Sequence, residues 1–270
     1  DSRAYVTEDE FAKYAGIHNL NEDVIRSSYD AVFHLVTSAD GAEEYYGKET
    51  NIFRREESLE KAREVDTDVM AVWTGTPHLR IIDNSTDFDT KLKRLLKEVV
   101  AFLGIPKPLE IERKFLIEYP DIEFLNSIKT CRRIPITQAY LTTPEEGYFR
   151  IRKRGEGDKA VYIKTVKIKI SDIKRIEIEN YISKEQYDSY LAQRQYVTGI
   201  ISKDRYCIVD NNTYYELDVY PFWNDRATIE IELLSEDQRY QLPKFVKLIR
   251  EVSFEPDYRN LALAQKYGNP

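Results

Sequence analysis

Two textures of hydrophobic and polar patterning meet near residue 105. Before it, apolar runs and helical spacing alternate. "DAVFHLVT" (30–37) is a compact apolar run that predicts a strand, "SLEKAREVDTDVMAVW" (58–73) a helix, and "HLRIID" (78–83) a second strand. "STDFDTKLKRLLKEVVAFLG" (85–104) follows. Ser85 or Thr86 is placed to cap it, Asp87 and Asp89 suit its first turn, and Gly104 stops it. Phe88, Leu92, Leu95, Leu96, Val99 and Phe102 recur at helical spacing, so this face is expected to meet a core. "IPKP" (105–108) breaks the helix and marks a domain boundary.

After residue 108 the period falls to two. "EIERKFLIE", "ITQAYLT", "GYFRIRKRG", "AVYIKTVKIKI", "KRIEIENYI", "GIISKDRYCIV", "NTYYELDVY" and "ATIEIEL" read as strands, with "TTPEEG", "GEGD" and "VDNN" as turns between several of them. "SKEQYDSYLAQR" (183–194) and "LPKFVKLIREV" (242–252) read as helical interruptions. Eight such strands predict a mostly antiparallel sheet closed into a barrel or tunnel, and an α+β chain overall. Residues 1–105 then form an α/β domain and 108–270 the strand-rich one.

In these strands the polar face is unusual. Alternation alone describes any half-buried strand. Here most of the polar positions are charged and almost never Ser, Thr or Gln. Glu110, Glu112 and Lys114 share a face, as do Arg150 and Arg152, Thr165 and Lys167, Arg175 with Glu177 and Glu179, Lys203 and Arg205, Glu216 and Asp218, and Glu230 and Glu232. If the sheet closes with these faces inward, the charges need pairing, water or a ligand. Carboxylates suit a hard divalent cation, and Arg and Lys suit phosphate oxygens. The pattern describes a cage for a metal-bound polyphosphate.

Composition changes this picture little. At 42% hydrophobic and 12% aromatic residues the chain is globular, and its net charge of −7 argues against broad nucleic-acid binding while allowing a local basic pocket. No apolar run approaches the roughly 18 residues of a membrane span. Two cysteines, Cys131 and Cys207, make neither a metal motif nor a disulfide framework, which fits a cytoplasmic setting.

"EIERK" resembles the E-x-E-x-K signature that opens the CYTH domain, the fold of triphosphate tunnel metalloenzymes. The similarity continues in order through "ITQAYL", "YFRIRKRG", "YIKTVK", "RIEIE", "ISKDRYC", "YELDVY" and "ATIEIEL", over about residues 108 to 265. It implies an eight-stranded antiparallel tunnel that binds or hydrolyses triphosphates with Mg²⁺ or Mn²⁺. Carried over, Glu110, Glu112, Glu230 and Glu232 would be metal ligands. Lys114, Arg150, Arg152, Arg175, Lys203 and Arg205 would hold phosphates. Lys167 would stand at the terminal phosphate and, with Glu110 and Glu112, form the catalytic set. Glu177, Glu179 and Asp218 would complete an acidic wall. No histidine is required, and His18, His34 and His78, all in the first domain, are expected to be structural or peripheral.

The first domain has its own resemblance. "YDAVFHLVTSADGAEEYY", "NIFRREES" and "TPHLRIIDNSTDFDTKLKR" look like the later part of a NadR/Ttd-like P-loop domain, which precedes a CYTH domain in the TRPL translocation defect family. Arg54 and Arg55 resemble lid arginines that would reach a γ-phosphate. No G-x-x-x-x-G-K-[ST] occurs in this chain, so the phosphate loop is expected in a preceding segment. This resemblance implies a regulatory protein that binds GTP or another metal-complexed polyphosphate. It would also bind phosphoinositide headgroups in membrane-protein trafficking, and sit peripherally at membranes without a span. The alternative is a Mg²⁺-dependent triphosphatase acting in the tunnel.

Overall fold

The computed structural model describes residues 1–47, 58–104, 109–143, 147–171, 173–193, 197–233 and 235–269. The lid arginines Arg54 and Arg55 and the boundary at 105–108 lie outside them.

The first unit starts with α1 (Glu8–Ile17), closed by a reciprocal Thr7–Glu10 capping box, and α2 (Glu22–Ser27). β1 (Val32–Leu35) and β2 (Leu79–Ile82) pair in parallel, with α3 (Leu59–Trp73) between them and α4 (Phe88–Phe102) after. The cap of α4 is Asp87, whose carboxylate accepts from Thr90 N–H at 3.0 Å, not Ser85 or Thr86.

The inward face of α4 also differs from the expected stripe. Phe88, Leu92 and Leu96 are exposed, while Leu95, Val99 and Phe102 are half-buried. The buried residue of α4 is Lys91, which donates to Val36 O (2.7 Å) and Asn84 Oδ1 (2.6 Å). Two polar residues, Lys91 and Glu98, share the inward line with Leu95 and Phe102, so hydrophobic spacing found the apolar part of the inward face and missed its polar members.

The second unit holds β3 (Leu109–Glu118), α5 (Ile122–Ser127), β4 (Cys131–Thr143), β5 (Gly147–Arg154), β6 (Val161–Lys169) and β7 (Lys174–Ile182). Then come α6 (Lys184–Ala192), β8 (Val197–Asp210), β9 (Thr213–Val219), β10 (Arg226–Leu233), β11 (Leu248–Glu251) and α7 (Asn260–Tyr267). All neighbours in this sheet are antiparallel, in the order β10-β9-β8-β4-β5-β6-β7-β3-β11, and β10 pairs in addition with β3.

This corrects the expected closed eight-stranded barrel. β3 meets β7 only over Leu109–Ile111; farther along, at Phe115–Ile117, the same strand pairs with the ninth strand, β11. That ninth strand also replaces part of the helix expected at 242–252. Leu242, Phe245 and Val246 pack on the sheet core there.

The apolar faces of the strands point outward and are covered, leaving the charged faces turned to the other side. Ile111, Phe115, Ile117, Leu217, Ile229 and Ile231 pack beneath Leu125 of α5 and Phe245. Ala139, Leu141, Phe149 and Ile151 pack beneath Tyr187 of α6. The two units share a core, since Val36, Met70 and Leu79 of the first cluster with Val209 of β8 and Tyr214 of β9.

α7 lies on β8 at a close approach that only glycine allows. A Cβ on Gly199 would fall on the carbonyl of Ala264. Because Asn260 at the start of α7 reaches toward Lys203 (3.4 Å), this contact also places a polar group beside the charged face. Gly199→Ala is expected to destabilise the fold by about 1–3 kcal/mol through overpacking, measured as a lowered urea midpoint.

Candidate functional site: a charged cavity on the inner face of the sheet

A cavity of about 290 Å³ lies against the inner faces of the strands. Strand alternation puts every second residue of each strand into it, roughly 6.8 Å apart along the chain. From β3 come Glu112 and Lys114, from β5 Arg150, Arg152 and Arg154, and from β6 Thr165 and Lys167. β7 adds Glu177 and Glu179, β8 Arg205, β9 Glu216, and β10 Glu230 and Glu232.

Lys114 and Glu230 form its first ion pair, at 2.7 Å and both buried. Burial works against the charge of Lys114, but Glu230 and Glu112 outweigh it and hold its pKa above the ordinary lysine value. Glu230 in turn is held well below the carboxylate range, because Lys114, Arg205 and Lys203 overcome the burial that would raise it. Arg205 links three strands. Nε and Nη2 each lie 2.7 Å from an Asp218 oxygen, Nη2 is 3.1 Å from Glu230, and Nη1 bonds Glu216.

A second network lies across the cavity. Arg150, buried, reaches Glu177 and Glu179 at 3.3 Å and Thr165 Oγ1 at 3.1 Å, and Lys167 pairs with Glu177 at 2.7 Å. Arg152 stands beside it with a buried Nε that has no hydrogen-bond partner. Burial and then the neighbouring Arg150 push its pKa down to about 10. The site therefore holds a guanidinium whose charge is poorly compensated, next to another cation.

Lys203 and Asp218 are not among the cavity-lining side chains. They form a fully buried ion pair behind the lining, with Lys203 near the Tyr220 ring. Burial, and then Arg205, push Lys203 down to about 7, since the bidentate Arg205 already engages the Asp218 charge. The unfolded lysine keeps its ordinary value near 10.4. Between these values the unfolded chain binds more protons, so stability rises with pH from about 7 towards 10. Lys203→Met is expected to flatten that rise in urea denaturation series at neutral and alkaline pH.

The first unit reaches the same cavity. Pro77, His78 and Arg80 line it, with Arg80 2.6 Å from Glu232 and His78 3.8 Å from Glu179. His78, expected to be structural or peripheral, thus lines this cavity, and His34 bonds Asp66 at 3.2 Å. Arg154 of β5 closes the junction by bonding the Gly75 carbonyl.

The side chains of Glu110 and Arg175 fall outside the described ones. Glu112, Lys114, Arg150, Arg152, Lys167 and Arg205 are brought together, with Glu177, Glu179, Glu230 and Glu232. The sequence reading left out Arg154 and Glu216 as site residues, although each continues a two-residue charge repeat. It also missed His78 and Arg80, and Arg259 and Asn260 at the start of α7, for which no local signal exists.

Glu232 stands directly opposite Glu112 in the β10–β3 register, and Glu230 opposite Glu216 in β10–β9. Like charges facing across strands are costly unless a cation joins them. Among the described residues no three carboxylate, His or Cys groups converge enough to hold a metal alone. The donors still fit a hard divalent cation of the Mg²⁺ kind, which takes one or two carboxylates and fills its shell with water and phosphate oxygens. Glu112 and Glu232 are the pair that would hold it, with Glu230 adjacent.

Among solved structures, the inorganic triphosphatase NE1496 is 29% identical, with 59% of this chain and 97% of that one covered and a TM-score of 0.39. A conserved hypothetical protein from Pyrococcus furiosus is 22% identical over 45% of this chain and 78% of that one, TM-score 0.34. HpAC1 from Hippeastrum, in which a triphosphatase activity dominates, is 15% identical over 46% and 80%, TM-score 0.33. Scores this low carry no weight on their own. No curated protein matches the chain. The sequence profile of the CYTH domain matches residues 108–256, which span all the charged strands and leave the first unit unmatched. The chain belongs to the CYTH domain family.

Proposed function

We propose that this protein hydrolyses a short phosphate chain in the charged cavity with a divalent cation, Mg²⁺ or Mn²⁺. The observation that carries this reading is the inward row Arg150–Arg152, in which a buried guanidinium lacks a full set of partners and faces a cavity already rich in cations. A polyphosphate supplies the missing acceptors. The reading as a regulator that binds GTP or phosphoinositides in trafficking is less favoured. It rests on the resemblance of residues 1–105 alone, and the charge chemistry is concentrated on the inner face of the CYTH sheet.

A bound divalent cation would neutralise charge on the phosphate oxygens. The chain's own residues do the rest. Arg150, held by Glu177, Glu179 and Thr165, and Arg152 present fixed donors to the phosphates, and Lys114 and Arg205 add positive charge on the opposite wall. Lys167, pinned by Glu177, is placed to orient a water for attack on the terminal phosphorus. The water oxygen bonds to phosphorus, the bridging P–O bond breaks with its electron pair leaving on the shortened phosphate, and the proton the water gives up passes to the product phosphates. In such a reaction positioning and electrostatic stabilisation supply most of the rate.

The test is phosphate release from inorganic triphosphate, ATP and GTP with Mg²⁺ or Mn²⁺. Turnover abolished by Glu112→Gln with the fold retained supports hydrolysis. Tight binding without turnover in the wild-type protein would reduce the cavity to a binding site.

A further inference from the structure

Arg80 and His78 lie where the first unit meets the cavity, and Arg80 touches a carboxylate assigned above to the divalent cation. Arg80 sits in β2, which contacts the sheet through β9. Its guanidinium spans two units: Nη2 lies 2.6 Å from Glu232 of β10, and Nε 3.3 Å from Glu98 of α4. Both partners and Tyr214 face it, and together they hold its charge against the cost of burial. Glu232 is the more open of the two carboxylates, 40% exposed against 14% for Glu98. It is therefore the one a diffusing ion can reach. Beside Arg80, His78 holds a left-handed backbone (φ 52°) with its ring on Phe102 at 5.3 Å and its Nε2 toward Glu179. A non-glycine residue in that conformation is over-determined by its surroundings, here by packing that turns the segment 77–80 into the cavity.

We propose that Arg80 is the resident counter-cation of Glu232. It competes with the divalent ion for that carboxylate and, once released from it, turns its guanidinium to the phosphate, so that the first unit sets the metal and ligand affinities of the CYTH site. This rests on the polyphosphate reading for its second arm only; the competition for Glu232 is independent of it. Chemically, a guanidinium and a divalent cation are alternative partners for one carboxylate that faces a like charge, Glu112, across the strand pair. Occupation by one lowers the affinity for the other by the same factor.

Two substitutions separate this role from a structural tie. Arg80→Gln frees Glu232, so Mn²⁺ should bind the protein without phosphate about five- to tenfold more tightly, while inorganic triphosphate binds more weakly by a similar factor. Glu98→Gln leaves Arg80 with Glu232 as its remaining carboxylate, so Mn²⁺ should bind more weakly. Mn²⁺ affinity is read by electron paramagnetic resonance of the free ion and triphosphate affinity by calorimetry. Opposite shifts for the two variants establish the competition. Unchanged Mn²⁺ affinity in both, or weakening in both, overturns it. Should the wild-type protein fail to bind triphosphate at all, the proposed function falls, and the Mn²⁺ arm still decides the competition.

Discussion

Replacing Asp218 by asparagine is expected to cost the folded state about 3–5 kcal/mol, the range found when one partner of a buried ion pair is removed. Asp218 is fully buried and holds Arg205 by two bonds of 2.7 Å, with Lys203 on the same carboxylate. Its loss leaves Lys203 without a carboxylate partner in a place where burial already disfavours its charge, and gives Arg205 only Glu216 and Glu230 to share. The control is Asp204→Asn, which removes the Asp204–Arg133 pair on the outer surface, where side chains are 37% and 46% exposed and such pairs contribute at most about 1 kcal/mol. Urea denaturation of both variants gives the comparison. A cost for Asp218→Asn no larger than the control's would mean that the buried network is not what holds β8 to β9.

What the sequence made legible follows from strand geometry. A period of two with charges on one face and Ile or Phe on the other predicts which residues share a surface, and Arg150, Arg152, Glu230 and Glu232 were found by it. It gives no direction for that surface. Inward placement became certain only because α5, α6 and the segment at 242–246 cover the apolar side. Lys203 and Asp218 obey the same period and yet lie behind the cavity lining, since α7 and Tyr220 fill the space before them. Contributions from outside the strands were illegible for a different reason. Arg80 and Glu232 are far apart in the chain, and nothing in "PHLRIID" distinguishes an arginine that will meet a carboxylate of another unit from one left in solvent. The incomplete stripe of α4 has the same origin: Lys91 is buried because Val36 and Asn84 offer it acceptors, which spacing does not reveal.

Arg152→Ala is expected to move function and stability in opposite directions. Its neighbour Arg150 is braced by Glu177, Glu179 and Thr165, so removing Arg150 would release two carboxylates toward the phosphate and disturb the wall. Arg152 differs. Burial and repulsion from Arg150 push its pKa down to about 10, so its charge is a cost to the ligand-free fold. Alanine removes that cost and relieves Arg150, and the urea midpoint should hold or rise. Turnover of triphosphate should fall by about 10²–10³, the usual loss when one fixed donor to developing charge is deleted. Added Mg²⁺ and triphosphate should also stabilise the wild-type protein more than the variant, because ligand binding satisfies the guanidinium only where it exists. A fall in both activity and midpoint would make Arg152 a structural residue. Unchanged turnover would remove it from the site. Stability spent at one side chain and recovered on binding is the behaviour of a group kept for its ligand.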